Sequence, residues 1–285
     1  MLFYHIVILA LIQGLTEFLP VSSSGHLILA HNLMGRETVE LWQENLMMDV
    51  AVHVGTLLSV LLYFRKDVWS MICGLFCLVC RKNQGQGASV TGAGASLVGF
   101  ILVSSLPVIV AGFALHHFQP DILRTLEVMA WSTLIFGIVL WVVDARSPAT
   151  RAVKDLTWHD ALWIGLAQAL ALIPGTSRSG ITMTAARYLG FTRREAAHYS
   201  LLLSIVAISG AGLLGALDVL ESGSAALTGD VLIAVLLSFA SGLLAINLMM
   251  KWLEQATFKP FAIYRIIMGV LLLSLIYSDI LLKSL

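Results

Sequence analysis

Two short polar loops interrupt apolar stretches of this chain, and they limit what it can fold into more than any other feature. One is Pro20-Val21-Ser22-Ser23-Ser24-Gly25-His26 and the other Pro174-Gly175-Thr176-Ser177-Arg178-Ser179-Gly180. Each follows an apolar run that a proline breaks, and each opens onto a second apolar run with helical character. Irregular backbone at membrane depth survives only where protein buries it or a wet cavity receives it. Glycines and hydroxyls at a helix start also present free N–H groups and a positive dipole end to an anion. With one Arg and one His between them, the loops predict a phosphate site built inside a membrane.

Composition supports the membrane. Hydrophobic residues make up 58% of the 285, charged residues 12%, and mean hydropathy is +0.89; soluble domains carry about 25% charged residues. Net charge is zero, which removes any electrostatic case for nucleic acid. No Lys or Arg precedes Leu2–Ile12, so a cleaved signal peptide is not expected.

Runs long enough to span, roughly 17–25 residues, fall near 46–64, 96–115, 123–143, 198–217, 231–250 and 261–281. Stretches 1–34 and 159–190 are each cut by a polar loop into halves too short to cross, and they read as re-entrant hairpins. Segment 68–80 reads as an interfacial helix, and 83–95 as a flexible Gly-rich loop. The expected fold is therefore all-α and integral to the membrane, one polytopic domain with six transmembrane helices plus two helix-loop-helix hairpins.

Placing 65–95 in the cytoplasm puts Arg65, Lys66, Arg81, Lys82, Arg146, Arg151, Lys154, Arg193, Arg194, Lys251 and Lys259 inside, with Arg36, Arg124 and Lys283 outside. The first hairpin then enters from outside and the second from inside, each followed by three spans. This predicts an inverted-topology repeat, about 1–145 and 158–285, an architecture shared with transporters.

Gln13 and Glu17 lie four apart and share a helix face. A carboxylate inside a membrane is costly and marks function by default. Beside a Ser-rich loop, Glu17 is expected to bind a divalent cation (Mg²⁺ or Ca²⁺), with Gln13 as a second oxygen. His26 follows Gly25 at a helix start, where the dipole favours the neutral ring as a base. Arg178 offers a planar fork for phosphate; a structural salt bridge to Glu17 is the plain alternative, and it leaves the hydroxyls of both loops unexplained. Ser22, Ser24, Gly25, Thr176, Ser177, Ser179 and Gly180 complete the expected phosphate cradle.

Segments 13–26 and 174–180 resemble the two signature motifs of the bacterial undecaprenyl-diphosphate phosphatases, the bacitracin-resistance family, and Pro260–Arg265 is similar to that family too. The resemblance spans nearly the whole chain. It implies metal-dependent hydrolysis of undecaprenyl diphosphate to the monophosphate carrier of cell-wall synthesis, in the bacterial inner membrane, with Glu17, Ser23, His26 and Arg178 as the catalytic set. Gln13 stands where some members have Glu, which leaves the metal one negative charge fewer.

The phosphoanhydride has a good leaving group, so positioning and charge neutralisation can carry the reaction. Either Ser23 or water attacks, with His26 taking the proton; Ser23 is the preferred nucleophile. The charge count predicts an outward-opening cavity. A lipid-phosphate flippase on the same scaffold is the alternative function, and a purely structural subunit a third that leaves the polar loops without a purpose. Expected partners are the lipid diphosphate and bilayer lipids, with a homodimer left open.

Cys73, Cys77 and Cys80 match an iron–sulfur spacing, but on a short apolar helix they read as packing. Asp49 and His53 share a face and read as accessory groups or a satisfied pair. His116-His117, with only Asp121 nearby, carry no metal pattern.

Overall fold

The computed structural model describes residues 3–33, 39–80, 88–118, 125–221 and 229–284, with side chains for 3–31, 47–76, 92–115, 125–217 and 229–278. Arg36, Arg81, Lys82, Arg124, Asp121 and residues 222–228 lie outside the described residues, as do the side chains of Cys77, Cys80, His116, His117 and Lys283.

Eleven α-helices are described: α1 (Phe3–Thr16), α2 (Ser23–Leu33), α3 (Val39–Tyr63), α4 (Arg65–Cys80), α5 (Ala88–Phe118), α6 (Leu126–Arg146), α7 (Trp158–Ala169), α8 (Arg178–Tyr188), α9 (Arg193–Glu221), α10 (Gly229–Trp252) and α11 (Lys259–Ser284). The protein is an all-α, multi-pass membrane protein. Among the described residues five helices, α5, α6, α9, α10 and α11, are each long and apolar enough to span. A sixth span forms when α3 and α4 are counted together across an 85° bend at Phe64. α1 has 14 residues, α2 and α8 have 11 each, and α7 has 12. At about 1.5 Å per residue none covers the roughly 30 Å of hydrocarbon alone. These four are the halves of the two expected hairpins.

One expectation fails. The stretch read as a loop over 83–95 is helical from Ala88 onward. In that stretch Gly94 serves contact: it lies against the Ser70 backbone, as Gly74 of α4 does against Ala95, so α4 and α5 cross there with almost no side chain between them. Small residues at crossings are how membrane helices approach closely, since lipid supplies no hydrophobic drive between them.

Packing repeats between the two halves of the chain. α1 lies against α10 and α7 against α5. A Cβ on Gly14 would collide with Ser241, and one on Gly165 would meet the Ser104 backbone at 2.7–3.0 Å. Gln13 and Gln168 are both fully buried beside these crossings. α3 packs on α9, and α6 on α11. The largest core cluster runs from Phe18 and Val60 through Tyr199 and Leu201–Leu203 to Phe258, and it supports both loops.

One end of the molecule is held by charge. Asp144, buried near the end of α6, accepts from Arg187 Nε at 2.9 Å and Arg193 Nε at 2.8 Å through Oδ1, and from the Phe258 N–H at 3.1 Å through Oδ2. Arg187 also donates to the carbonyls of Ser147, Pro148 and Phe191. Close by, Arg151 grips Asp160 with both guanidinium arms, at 2.6 and 3.1 Å, and Asp160 forms the capping box of α7 with Thr157. Loops that the charge count puts on one side therefore meet at one end. Asp144→Ala strands the Arg187 cation, and breaking a buried pair this way costs about 3–5 kcal/mol. The expected result is a clearly lower unfolding midpoint in detergent; an unchanged midpoint would show that Asp144 does not hold this end.

Candidate active site

Both loops are built alike. α1 ends at Thr16, and Glu17 completes its last turn through a bond from its N–H to Gln13 O at 2.9 Å. The backbone then turns over Phe18–Val21, and Ser22 sits at φ 75° before α2 begins. In the second loop a 3₁₀ turn at Leu170–Leu172 leads through Pro174 and Gly175 to Ser177 at φ 69°, before α8 begins. A non-glycine residue with positive φ is uncommon and costs of order 1–3 kcal/mol. Each strained serine meets a second hydroxyl two residues on: Ser22 Oγ to Ser24 Oγ at 3.3 Å, Ser177 Oγ to Ser179 Oγ at 3.2 Å.

The loops touch. Arg178 Nη2 donates to Glu17 Oε1 at 3.1 Å, and Ser179 Oγ donates to Leu19 O at 2.9 Å. Arg178 Nη1 reaches Ser200 O at 3.4 Å. On its other oxygen, Glu17 accepts from Ser23 Oγ at 2.6 Å and from Gln13 Nε2 at 3.0 Å. The salt bridge weighed as a plain alternative is therefore present, and it is one edge of a larger constellation. Glu17, Ser22, Ser23, Ser24, His53, Ser177, Arg178 and Ser179 line a cavity of about 280 Å³, closed by Ala171, Ala207, Ile208 and Ala211. Near the lower limit for ligand pockets, that volume takes a phosphate head group and leaves a long lipid tail outside.

Not every expected residue arrives. His26 does not line the cavity. Its Nδ1 donates to Ser22 O at 2.6 Å and its Nε2 meets the Tyr264 hydroxyl at 2.6 Å, so the group that accepts from Ser23 is Glu17 instead. The loop between Glu17 and Ser23 is not helical, and no helical spacing could show that pairing. Thr176 is fully buried without a partner for its hydroxyl, and it does not line the cavity. Gly25 faces Met129. The Gly180 N–H is already taken by Ser177 Oγ at 3.1 Å and is not free for an anion.

Gln13 turns its amide nitrogen, not its oxygen, toward Glu17, and Oε1 is buried without a partner. Among the described residues no three His, Cys, Asp or Glu side chains group to hold a metal ion. Gln13 is fully buried and does not line the cavity, where the oxygens on offer are the Glu17 carboxylate and several hydroxyls. This all-oxygen set fits a hard cation that takes its remaining ligands from substrate phosphate and water.

Three residues outside the expected catalytic and phosphate-binding set take part. Tyr264 holds His26, and Arg265, fully buried in α11, donates through Nη2 to Gly175 O at 2.9 Å while Nε and Nη1 have no partner. A charge inside an apolar span was the available signal. His53, first read with Asp49, lines the cavity; the Asp49 carboxylate pairs with His31 at 3.3 Å instead.

Comparison with known proteins gives the family. The family profile described as Bacitracin resistance protein BacA matches residues 6–271. An undecaprenyl-diphosphatase of Dinoroseobacter shibae is 46% identical over 98% of this chain and 100% of its own length. One from Ruegeria pomeroyi is 44% identical over 96% and 99%, and one from Chromohalobacter salexigens 45% identical over 94% and 97%. The chain is a member of the BacA bacitracin resistance family.

Proposed function

We propose that this protein hydrolyses undecaprenyl diphosphate to undecaprenyl phosphate and inorganic phosphate in the bacterial inner membrane, returning the carrier to cell-wall synthesis and giving bacitracin resistance. The observation that carries this reading is the Ser23 hydroxyl held 2.6 Å from Glu17, whose other oxygen meets Arg178 of the second loop. The names of the relatives support the same reaction.

Ser23 Oγ attacks the terminal phosphorus as its proton passes to Glu17. The bond from that phosphorus to the bridging oxygen breaks, and the lipid monophosphate leaves without help from a strong acid. Arg178 swings from Glu17 to the phosphoryl oxygens, where a planar fork is well matched. The hydroxyls of Ser22, Ser24, Ser177 and Ser179 orient the same oxygens. Water then releases phosphate from Ser23. A divalent cation bound at Glu17 would add positive charge to the phosphoryl group. His26 acts here as a positioning residue, fixing the Ser22 carbonyl at the turn.

The repeated loops and the matching α1–α10 and α7–α5 contacts support the inverted repeat. With the Asp144 end cytoplasmic, the hairpin bearing Glu17 and Ser23 enters from outside, and the head group arrives from the extracytoplasmic leaflet. A flippase on this scaffold has no observation in its favour beyond the paired loops.

Proteoliposomes of known orientation, with undecaprenyl diphosphate confined to one leaflet, test both reaction and side. Phosphate release is expected from the extracytoplasmic leaflet, and Ser23→Ala should lower it by roughly three orders of magnitude or more. Turnover from the cytoplasmic leaflet alone would reverse the assigned side. An active Ser23→Ala protein would remove the nucleophile, and lipid movement without phosphate release would restore the flippase.

A further inference from the structure

His26 and His53 are locked by the same device, yet among the described residues only His26 has a partner for its second nitrogen. His26 Nδ1 bonds to the carbonyl of Ser22, four residues earlier, and His53 Nδ1 bonds to the carbonyl of Asp49, also four residues earlier, both at 2.6 Å. A carbonyl can only accept, so each Nδ1 carries the hydrogen and a neutral ring keeps its lone pair on Nε2. In His26 that nitrogen is engaged by Tyr264. In His53 no described residue engages it, and the half-buried ring lines the cavity together with Glu17, Ser23 and Arg178.

We propose that His53 is the base of the second half-reaction, accepting a proton from the water that attacks the phosphoryl group on Ser23. The inference rests on the proposed phosphoseryl route. On that route Glu17 gains the Ser23 proton in the first step and must return it to Oγ when the P–Oγ bond breaks. During the second step the carboxyl is therefore protonated and cannot activate water. Among the described residues that line the cavity, His53 is the remaining base. Water oxygen bonds to phosphorus as P–Oγ breaks, the water proton moves to His53 Nε2, and the Glu17 proton returns to Oγ. Inorganic phosphate leaves, and the imidazolium loses its proton to solvent. The charged groups around the ring fit this role: Glu17 and Arg178 line the same cavity, and Asp49 on α3 is paired with His31.

Rapid-quench measurements on full-length protein, using undecaprenyl diphosphate labelled in its terminal phosphate, read the two steps separately. In His53→Gln the lipid monophosphate should appear in a burst of about one per enzyme. Phosphate release should follow roughly a hundredfold slower than in the parent, with label held on the protein and absent when Ser23→Ala is added. In His53→Ala, added imidazole should restore release. If lipid monophosphate and phosphate appear in step in both variants, with no label on the protein, the assignment of His53 is overturned while the diphosphatase reading stands. If the parent turns over and Ser23→Ala turns over equally, the phosphoseryl route fails and this inference with it.

Discussion

Arg178→Lys is expected to lower turnover by roughly two to three orders of magnitude, the loss typical of removing a preorganised charge-stabilising donor. The guanidinium holds Glu17 with Nη2 and lies 3.4 Å from the Ser200 carbonyl with Nη1. One arm can therefore stay anchored while the other follows the phosphoryl oxygens. Lysine keeps the charge but, as a compact point charge, cannot anchor and reach at once. The fall should appear in kcat with the unfolding midpoint little changed, because a cation still faces Glu17. Near-normal kcat in this variant would take Arg178 out of the site.

Glu17→Gln should reduce turnover to background while keeping the shape of the side chain. The variant loses the acceptor of the Ser23 proton and the charge that opposes Arg178. It also loses the one carboxylate available to a cation, so the concentration of Mg²⁺ needed for any residual activity should rise. An unchanged metal titration, with activity lost, would leave Glu17 as the proton acceptor alone. Activity within tenfold of the parent would refute both roles.

The helices were readable where apolar length decides them. Five of the six expected spans correspond to α5, α6, α9, α10 and α11, and the one near 46–64 falls on α3 and qualifies only together with α4 across the bend. Both polar breaks fall where proline and serine interrupt the run. Glycine as a breaker does not predict the start of α5, because at Gly94 it permits contact with α4. Within the site, the Glu17–Arg178 pairing was accessible, since a buried carboxylate and a buried guanidinium in one membrane seek each other. The proton acceptor of Ser23 was not. It depends on a non-helical turn whose course no periodicity encodes. The partner of His26 was equally hidden: Tyr264 lies 238 residues away, and only the placement of α11 brings them together.

Tyr264 and Arg265 are neighbours in sequence, and successive residues on a helix point about 100° apart. One therefore reaches the first loop through His26 and the other the second loop through the Gly175 carbonyl. Both grips belong to a single rigid rod that is seated mainly on α6. Any displacement of that rod is felt at both loops together, so their relative alignment is controlled from the lipid-facing flank of the protein. A hydrophobic wedge lodged between α11 and α6 would unsettle the Ser23–Arg178 register without ever entering the cavity.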